Sequence, residues 1–266
     1  MSTSPDLLSA IVASVRRQVD VRRELEPLAA LERRAAARDP RAAAFTAALA
    51  APGRLNVIAE CKRRSPSRGV LRGDYDPASI AAAYQAAGAA AISVLTEPTF
   101  FDGSLEHLSE VRAAVSVPVL RKDFVVDEYQ LFEARAAGAD AVLLIVATLG
   151  AGGLRRLAGR AADLGLAALV EVHDRQELDM ALAAGSALIG VNARNLRTLR
   201  VDPSVVSSLI QDMPGEVTAV AESGLREAAE IRRLHAAGYR AFLVGDRLMT
   251  APAPAGALTA LIGGSA

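Results

Sequence analysis

Apolar residues change their rhythm near residue 55. Before it, Leu7, Leu8, Ile11, Val12, Val15 and Val19 recur at helical spacing. Ser4-Pro5 reads as a cap followed by a first-turn proline, Pro27 and Pro40 restart the pattern, and Pro52-Gly53 ends it. Beyond that point short apolar runs alternate with polar loops and Ala-rich amphipathic stretches. Eight runs stand out, at 57–61, 90–95, 117–120, 141–146, 167–172, 187–191, 217–221 and 241–244. Between them, stretches such as 77–87, 105–115, 128–137, 176–184 and 227–237 carry a helical period. Several of these close on Ala-Ala-Gly, at Gly88, Gly138, Gly185 and Gly238, where glycine suits a left-handed cap leading to the next strand. Eight strands alternating with eight helices predict an α/β fold, a (β/α)8 (TIM) barrel. The expectation is one domain over residues 1–266, with 1–55 as an N-terminal helical extension. An open doubly wound sheet is the alternative, but no G-x-G-x-x-G follows the first strand.

In such a barrel, chemistry gathers where strands end and the following loops begin. The first strand ends Glu60-Cys61-Lys62, and alternation puts Glu60 and Lys62 on one face and Cys61 on the other. Cys61 is thus expected to be a buried small hydrophobe. The third strand ends Arg121-Lys122-Asp123-Phe124, the fifth Glu171-Val172-His173, the sixth Asn192-Ala193-Arg194-Asn195, and the seventh Glu222-Ser223-Gly224. Carboxylates, two lysines and an amide would converge on one mouth. Glu60 with Lys62 could equally be a structural ion pair, and Lys122 with Asp123 a solvated one. Glu171, between two valines, needs a partner or a raised pKa. The fourth strand ends without a charge and could wall an apolar ring. Ser223-Gly224 and Gly245-Asp246 stand where many barrels hold a phosphate on amide N–H groups at a helix start, and Ser65 and Ser67 could reach the same anion. The three histidines, His107, His173 and His235, receive no role.

Composition sharpens this picture at one point. The chain has 30 basic residues, and only Lys62 and Lys122 are lysine. Arginine stays protonated in proteins, whereas a lysine in a desolvated site can exchange its proton with a substrate. The remaining numbers mostly exclude. A formal net charge of zero with no block of one sign argues against nucleic acid or an anionic membrane as partner. One cysteine allows no internal disulfide, and three scattered histidines make no zinc-type cluster. No apolar run reaches the roughly 18 residues of a membrane span. Acidic residues at Asp6, Asp20, Glu24, Glu26 and Glu32 break the pattern of a transit peptide, so a cytoplasmic protein is expected.

The ordered set Glu60-Cys61-Lys62, Ser65-Pro66-Ser67, Leu95-Thr96-Glu97, Phe101-Asp102-Gly103-Ser104 and Arg121-Lys122-Asp123-Phe124 resembles the indole-3-glycerol phosphate synthase family. The likeness continues through Glu171-Val172-His173, Asn192 to Leu196, Ala221-Glu222-Ser223-Gly224 and Val244-Gly245-Asp246. It implies decarboxylating, dehydrating ring closure of 1-(2-carboxyphenylamino)-1-deoxyribulose 5-phosphate to indole-3-glycerol phosphate, in tryptophan biosynthesis. It also implies no organic cofactor, no metal, and a small phosphorylated substrate as partner, with the chain a monomer or weak homodimer. Lys122 would then be the acid at the ketone oxygen and Glu171 the base. Glu60 would stabilise charge on the anilino nitrogen, and Lys62 would pair with the substrate carboxylate or assist the second transfer. Asn192 and Glu222 would orient sugar hydroxyls and the catalytic carboxylate. Ser65, Ser223, Gly224, Gly245 and the Asp246 amide would hold phosphate, with the Asp246 side chain turned away. Phe101, Phe124, Leu143 and Leu196 would frame the anthranilate ring, and Arg194 would support the site through its charge. Two rival functions remain open, a Schiff-base aldolase and a non-catalytic phosphometabolite sensor.

Overall fold

The computed structural model describes residues 6–39 and 41–263. Among these, eight parallel strands close into a barrel: Asn56–Cys61, Ala91–Leu95, Val119–Lys122, Ala141–Ile145, Ala167–Val172, Leu188–Asn192, Thr218–Glu222 and Ala241–Val244. Each pairs with its neighbours in sequence, and the eighth returns to the first with Asn56 opposite Ala241 and Ala59 opposite Val244. The (β/α)8 TIM barrel expected from the hydrophobic rhythm is the fold, and each apolar run overlaps one strand.

Local chemistry explains where the surrounding helices begin and stop. Asp76, Ser104, Asp127, Asp174 and Asp202 each accept a hydrogen bond from a first-turn amide of the helix that follows. These helices span Pro77–Ala86, Leu105–Ala114, Glu128–Ala137, Arg175–Ala183 and Pro203–Leu209. Gly88, Gly138, Gly185 and Gly238 all have positive φ, as expected of glycines that turn the chain toward the next strand.

The segment before the barrel is helical in three pieces. Leu7–Leu25 buries Leu8, Ile11, Val15 and Val19 and is capped by the Asp6 carboxylate. Ser4, Pro5 and Pro40 lie outside the described residues. Leu28–Ala36 follows Pro27 and packs on helix Glu128–Ala137. Ala42–Ala50 lies beneath the barrel floor, touching the first, second, fifth and seventh strands with Phe45 and Leu49 fully buried. Asn56 Nδ2 ties that floor together, donating to the carbonyls of Leu49 and Ala51 at 2.9 Å. The bottom of the barrel is therefore plugged, and its open end is the one at which the strands finish.

A second polar knot sits between barrel and helices. Arg121 points outward from the third strand into a buried space. There its Nη2 lies 2.8 Å from Asp123 Oδ2, its Nη1 2.6 Å from the Gln130 carbonyl, and its Nη1 3.2 Å from Glu133 Oε2. Glu133 is also gripped by Arg22 of the first helix at 2.5 Å. The knot joins the extension to the strand that carries Lys122.

Candidate active site

Neighbouring residues in register on a parallel sheet share a face. Glu60 sits beside Ser93, Lys122 beside Leu95, Ile145 beside Glu171, Glu171 beside Gly190, and Asn192 beside Glu222. That face is the barrel interior, and Glu60, Leu95, Lys122, Ile145, Glu171, Asn192 and Glu222 line a cavity of about 720 Å³ at its mouth. Lys62, Ser65, Phe101, Phe124, Leu143, Arg194, Leu196, Ser223, Gly224, Gly245 and Asp246 line the same cavity, so every residue singled out from the sequence comes together there. Ile11 reaches it from the first helix. Cys61 faces the other way, fully buried, and burial pushes its thiol pKa up.

Two lysine–carboxylate groupings occupy the mouth. Lys122 Nζ lies 3.3 Å from Glu171 Oε2. Burial opposes charge on Lys122, but Glu171, Glu222 and Glu60 outweigh it and raise its pKa above the ordinary lysine value. Burial likewise opposes charge on Glu171, but Lys122 and contacts with His173 and Asn192 hold its carboxyl below the usual range. Glu222 moves the opposite way: burial, then the nearby Glu171 charge, lift it well above its ordinary value. The two carboxyls are thus pushed in opposite directions, Glu171 toward its ionised form and Glu222 toward its protonated one. Lys62 Nζ stands 2.5 Å from Glu60 Oε1 and 2.8 Å from Asp246 Oδ1. Two glycines leave room for these acids: a Cβ at Gly190 would overlap the Glu222 carboxylate, and one at Gly245 would overlap that of Glu60.

The loops complete the lining of the cavity. The rings of Phe101 and Phe124 lie 6.0 Å apart, and Leu95, Leu143, Ile145 and Leu196 add apolar surface to the same cavity. Glu97 positions Phe101 by accepting from the amides of Thr99, Phe100 and Phe101. Arg64–Ser65 and Gly69–Val70 form a small antiparallel ribbon, and Arg194 Nη1 lies 3.4 Å from Ser67 Oγ. Arg68, Arg226 and Arg247 also line the cavity.

Several expectations need correcting. The Asp246 side chain does not turn away: it sits between Lys62 and Arg194, whose Nη2 is 3.2 Å from its Oδ2, and the two cations offset its charge. Ser223 and Gly224 are not at a helix start. Both have positive φ, in a turn that precedes helix Ala228–Ala237 by several residues. Asp123 does not form a solvated pair with Lys122, because it is buried against Arg121 and the Thr96 hydroxyl. His173, given no role from the sequence, stands with Nε2 3.2 Å from Glu171 Oε1. Extending the period-two alternation one step past Glu171 would have found it.

Comparison with known proteins agrees with this geometry. A family model described as indole-3-glycerol phosphate synthase matches residues 8–261. The chain is 49% identical over 259 residues to the indole-3-glycerol phosphate synthase of Mycolicibacterium gilvum, covering 97% of this chain and 94% of that protein. It is 50% identical over 257 residues to the "Indole-3-glycerol phosphate synthase 2" of Streptomyces coelicolor, covering 97% of this chain and 99% of that one. Among solved structures it resembles KGPDC from Streptococcus mutans, with a TM-score of 0.60 at 14% identity over 78% of this chain and 95% of that one, a likeness of fold alone. With the match spanning nearly the whole chain, from the first helix to the last, this chain belongs to the indole-3-glycerol phosphate synthase family.

Proposed function

We propose that this chain closes the indole ring of indole-3-glycerol phosphate, using Lys122 as acid and Glu171 as base. The substrate is 1-(2-carboxyphenylamino)-1-deoxyribulose 5-phosphate, and the reaction releases carbon dioxide and water. Attack of the aromatic carbon on the ketone needs a proton at the ketone oxygen, and loss of carbon dioxide restores aromaticity. Dehydration then needs a proton taken from carbon and one given to the departing hydroxyl. The observation that carries this reading is the 3.3 Å contact of Lys122 Nζ with Glu171 Oε2 at the mouth of the cavity. The acidic groups around Lys122, Glu171 foremost, keep it protonated, so it enters the reaction holding the proton it must give.

The other roles follow the shape of the cavity. Phe101, Phe124, Leu143 and Leu196 supply an apolar slot for the anthranilate ring. Ser65, Ser223, Gly224, Gly245 and the Asp246 amide hold the phosphate, a role supported by Arg68, Arg194, Arg226 and Arg247 in the lining of the same cavity, whose charge favours a dianion. Lys62 faces the substrate carboxylate, Glu60 the anilino nitrogen, and Asn192 and Glu222 the sugar hydroxyls, with Arg194 offsetting the charge of Asp246. We take residues 1–266 as a single domain whose first 55 residues are an extension of the barrel, since the first three helices pack on it. Among the described residues no helix is long and apolar enough to cross a membrane. We take the protein to be a cytoplasmic monomer or weak homodimer, and its neutral net charge argues against a nucleic-acid partner.

The deciding assay follows indole fluorescence after synthetic substrate is mixed with purified protein. Product formation by the wild type, lost in Glu171→Gln, is expected. Substrate binding without fluorescence would overturn the assignment, and borohydride trapping of substrate on Lys122 would redirect it to Schiff-base chemistry.

A further inference from the structure

We propose that His173 is a positioning residue for the ring closure: clamped by Glu177, it sets a cation against the far oxygen of Glu171 and so fixes which oxygen faces Lys122 and the substrate. The inference rests on Glu171 being the base.

The geometry is specific. His173 follows the fifth strand and lies two residues beyond Glu171, on the same face. Its Nδ1 is 3.0 Å from Glu177 Oε2, and the same oxygen accepts the His173 backbone N–H at 2.9 Å. Glu177 is itself set in the first turn of helix Arg175–Ala183, where its N–H donates to Asp174 at 2.8 Å. The ring is therefore held at its Nδ1 edge, which leaves Nε2 at an ion-pair distance of 3.2 Å from Glu171 Oε1 while Oε2 faces Lys122. An imidazole between two carboxylates favours its doubly protonated form, and although burial opposes this, Glu171 and Glu177 raise its pKa to about 10.

Charge bookkeeping around Glu171 shows why the reaction needs this. Glu171 faces Lys122 and Glu222 from the third and seventh strands, with the neutral amide of Asn192 beside them. Lys62 is engaged by Glu60 and Asp246, and Arg175 by Asp179 and Asp212. When Lys122 gives its proton to the substrate, Glu171 loses that counter-charge. Among the described residues, His173 is then the cation left within ion-pair distance, and it keeps Glu171 a carboxylate until the dehydration in which it takes the proton from carbon.

The test is the pH dependence of kcat for wild type, His173→Gln and Glu177→Gln, with Glu171→Gln alongside. In His173→Gln the acidic limb should move up by about one to two pH units, because Glu171 has lost a cationic neighbour. At pH 7, kcat should fall about tenfold or more with KM changed less than about twofold. Glu177→Gln should shift the limb the same way by less. The Glu177 variant decides the matter alone if His173→Gln does not fold. A wild-type-like limb and kcat in both variants would overturn the proposal. A fully active Glu171→Gln would instead strike the base assignment itself. NMR titration of labelled histidine in the wild type gives a second readout. A His173 ring still protonated at pH 8 supports the proposal, and a midpoint near its ordinary value of 6.5 overturns it.

Discussion

Replacing Arg121 by methionine tests whether the buried knot behind Lys122 is held by charge. Arg121 is 1% exposed, and methionine fills much of its volume while offering no donor. The Gln130 carbonyl would lose its 2.6 Å donor, and Asp123 would lose its 2.8 Å counter-charge. Neither acid is left wholly bare. Glu133 keeps Arg22 at 2.5 Å, while Asp123 keeps the Thr96 hydroxyl at 2.6 Å and the Phe124 amide at 2.8 Å. Breaking one side of a buried pair costs about 3–5 kcal/mol, and the retained donors place this case near about 3 kcal/mol. At about 2–4 °C per kcal/mol for a chain of this size, the melting temperature should drop by about 6–12 °C. Far-UV circular dichroism during heating measures it. Adding Asp123→Asn to Arg121→Met removes the stranded charge and should recover at least half of the loss. A single variant melting within about 2 °C of wild type, or a double variant no better than the single, would refute the reasoning.

Three other outcomes follow from the geometry of the site. Lys122→Arg keeps the charge but cannot release a proton near neutral pH, so kcat should fall about 10²–10⁴-fold in the fluorescence assay; near-normal turnover would contradict the acid role. Gly245→Ala puts a methyl group into the Glu60 carboxylate, and should cost about 1–3 kcal/mol in urea unfolding together with much of kcat; a fully stable, fully active variant would refute the packing. For His173 the folded pKa lies above the unfolded one, so its stabilisation is complete below pH 6.5 and lost as pH rises toward about 10. Unfolding free energy measured in urea should therefore decline across that window, and His173→Gln should flatten the decline; an unchanged slope in the variant would count against the ion pair.

Much of this molecule is legible in the sequence, and the failures share a physical origin. The apolar runs located every barrel strand, yet three were drawn too short at the open end: 117–120 against Val119–Lys122, 187–191 against Leu188–Asn192, and 217–221 against Thr218–Glu222. A strand that ends in the site must end in polar residues, so hydrophobicity stops before the hydrogen-bonded ladder does. The third run also began early, since Pro118 has no N–H to give to the ladder. Alternation puts Glu60 and Lys62 on one face and Cys61 on the other, because a period of two survives whatever the partner. Partners are what the sequence withholds. Nothing local to Asp246 says that Lys62 and Arg194 will stand on either side of it, a pairing made by closure of the sheet. Asp123 differs, because the same alternation puts it on the face of Arg121 and opposite Lys122.

That closure has a bearing on how the protein is made. Glu60 and Lys62 leave the ribosome early, whereas Gly245 and Asp246, which complete their surroundings, arrive some 180 residues later, just past the last strand. A nascent chain lacking that strand leaves Lys62 without Asp246 and an unzipped sheet edge on both sides. Synthase activity therefore cannot precede ring closure, and gain of turnover during refolding is a clock for the final zippering of the cylinder.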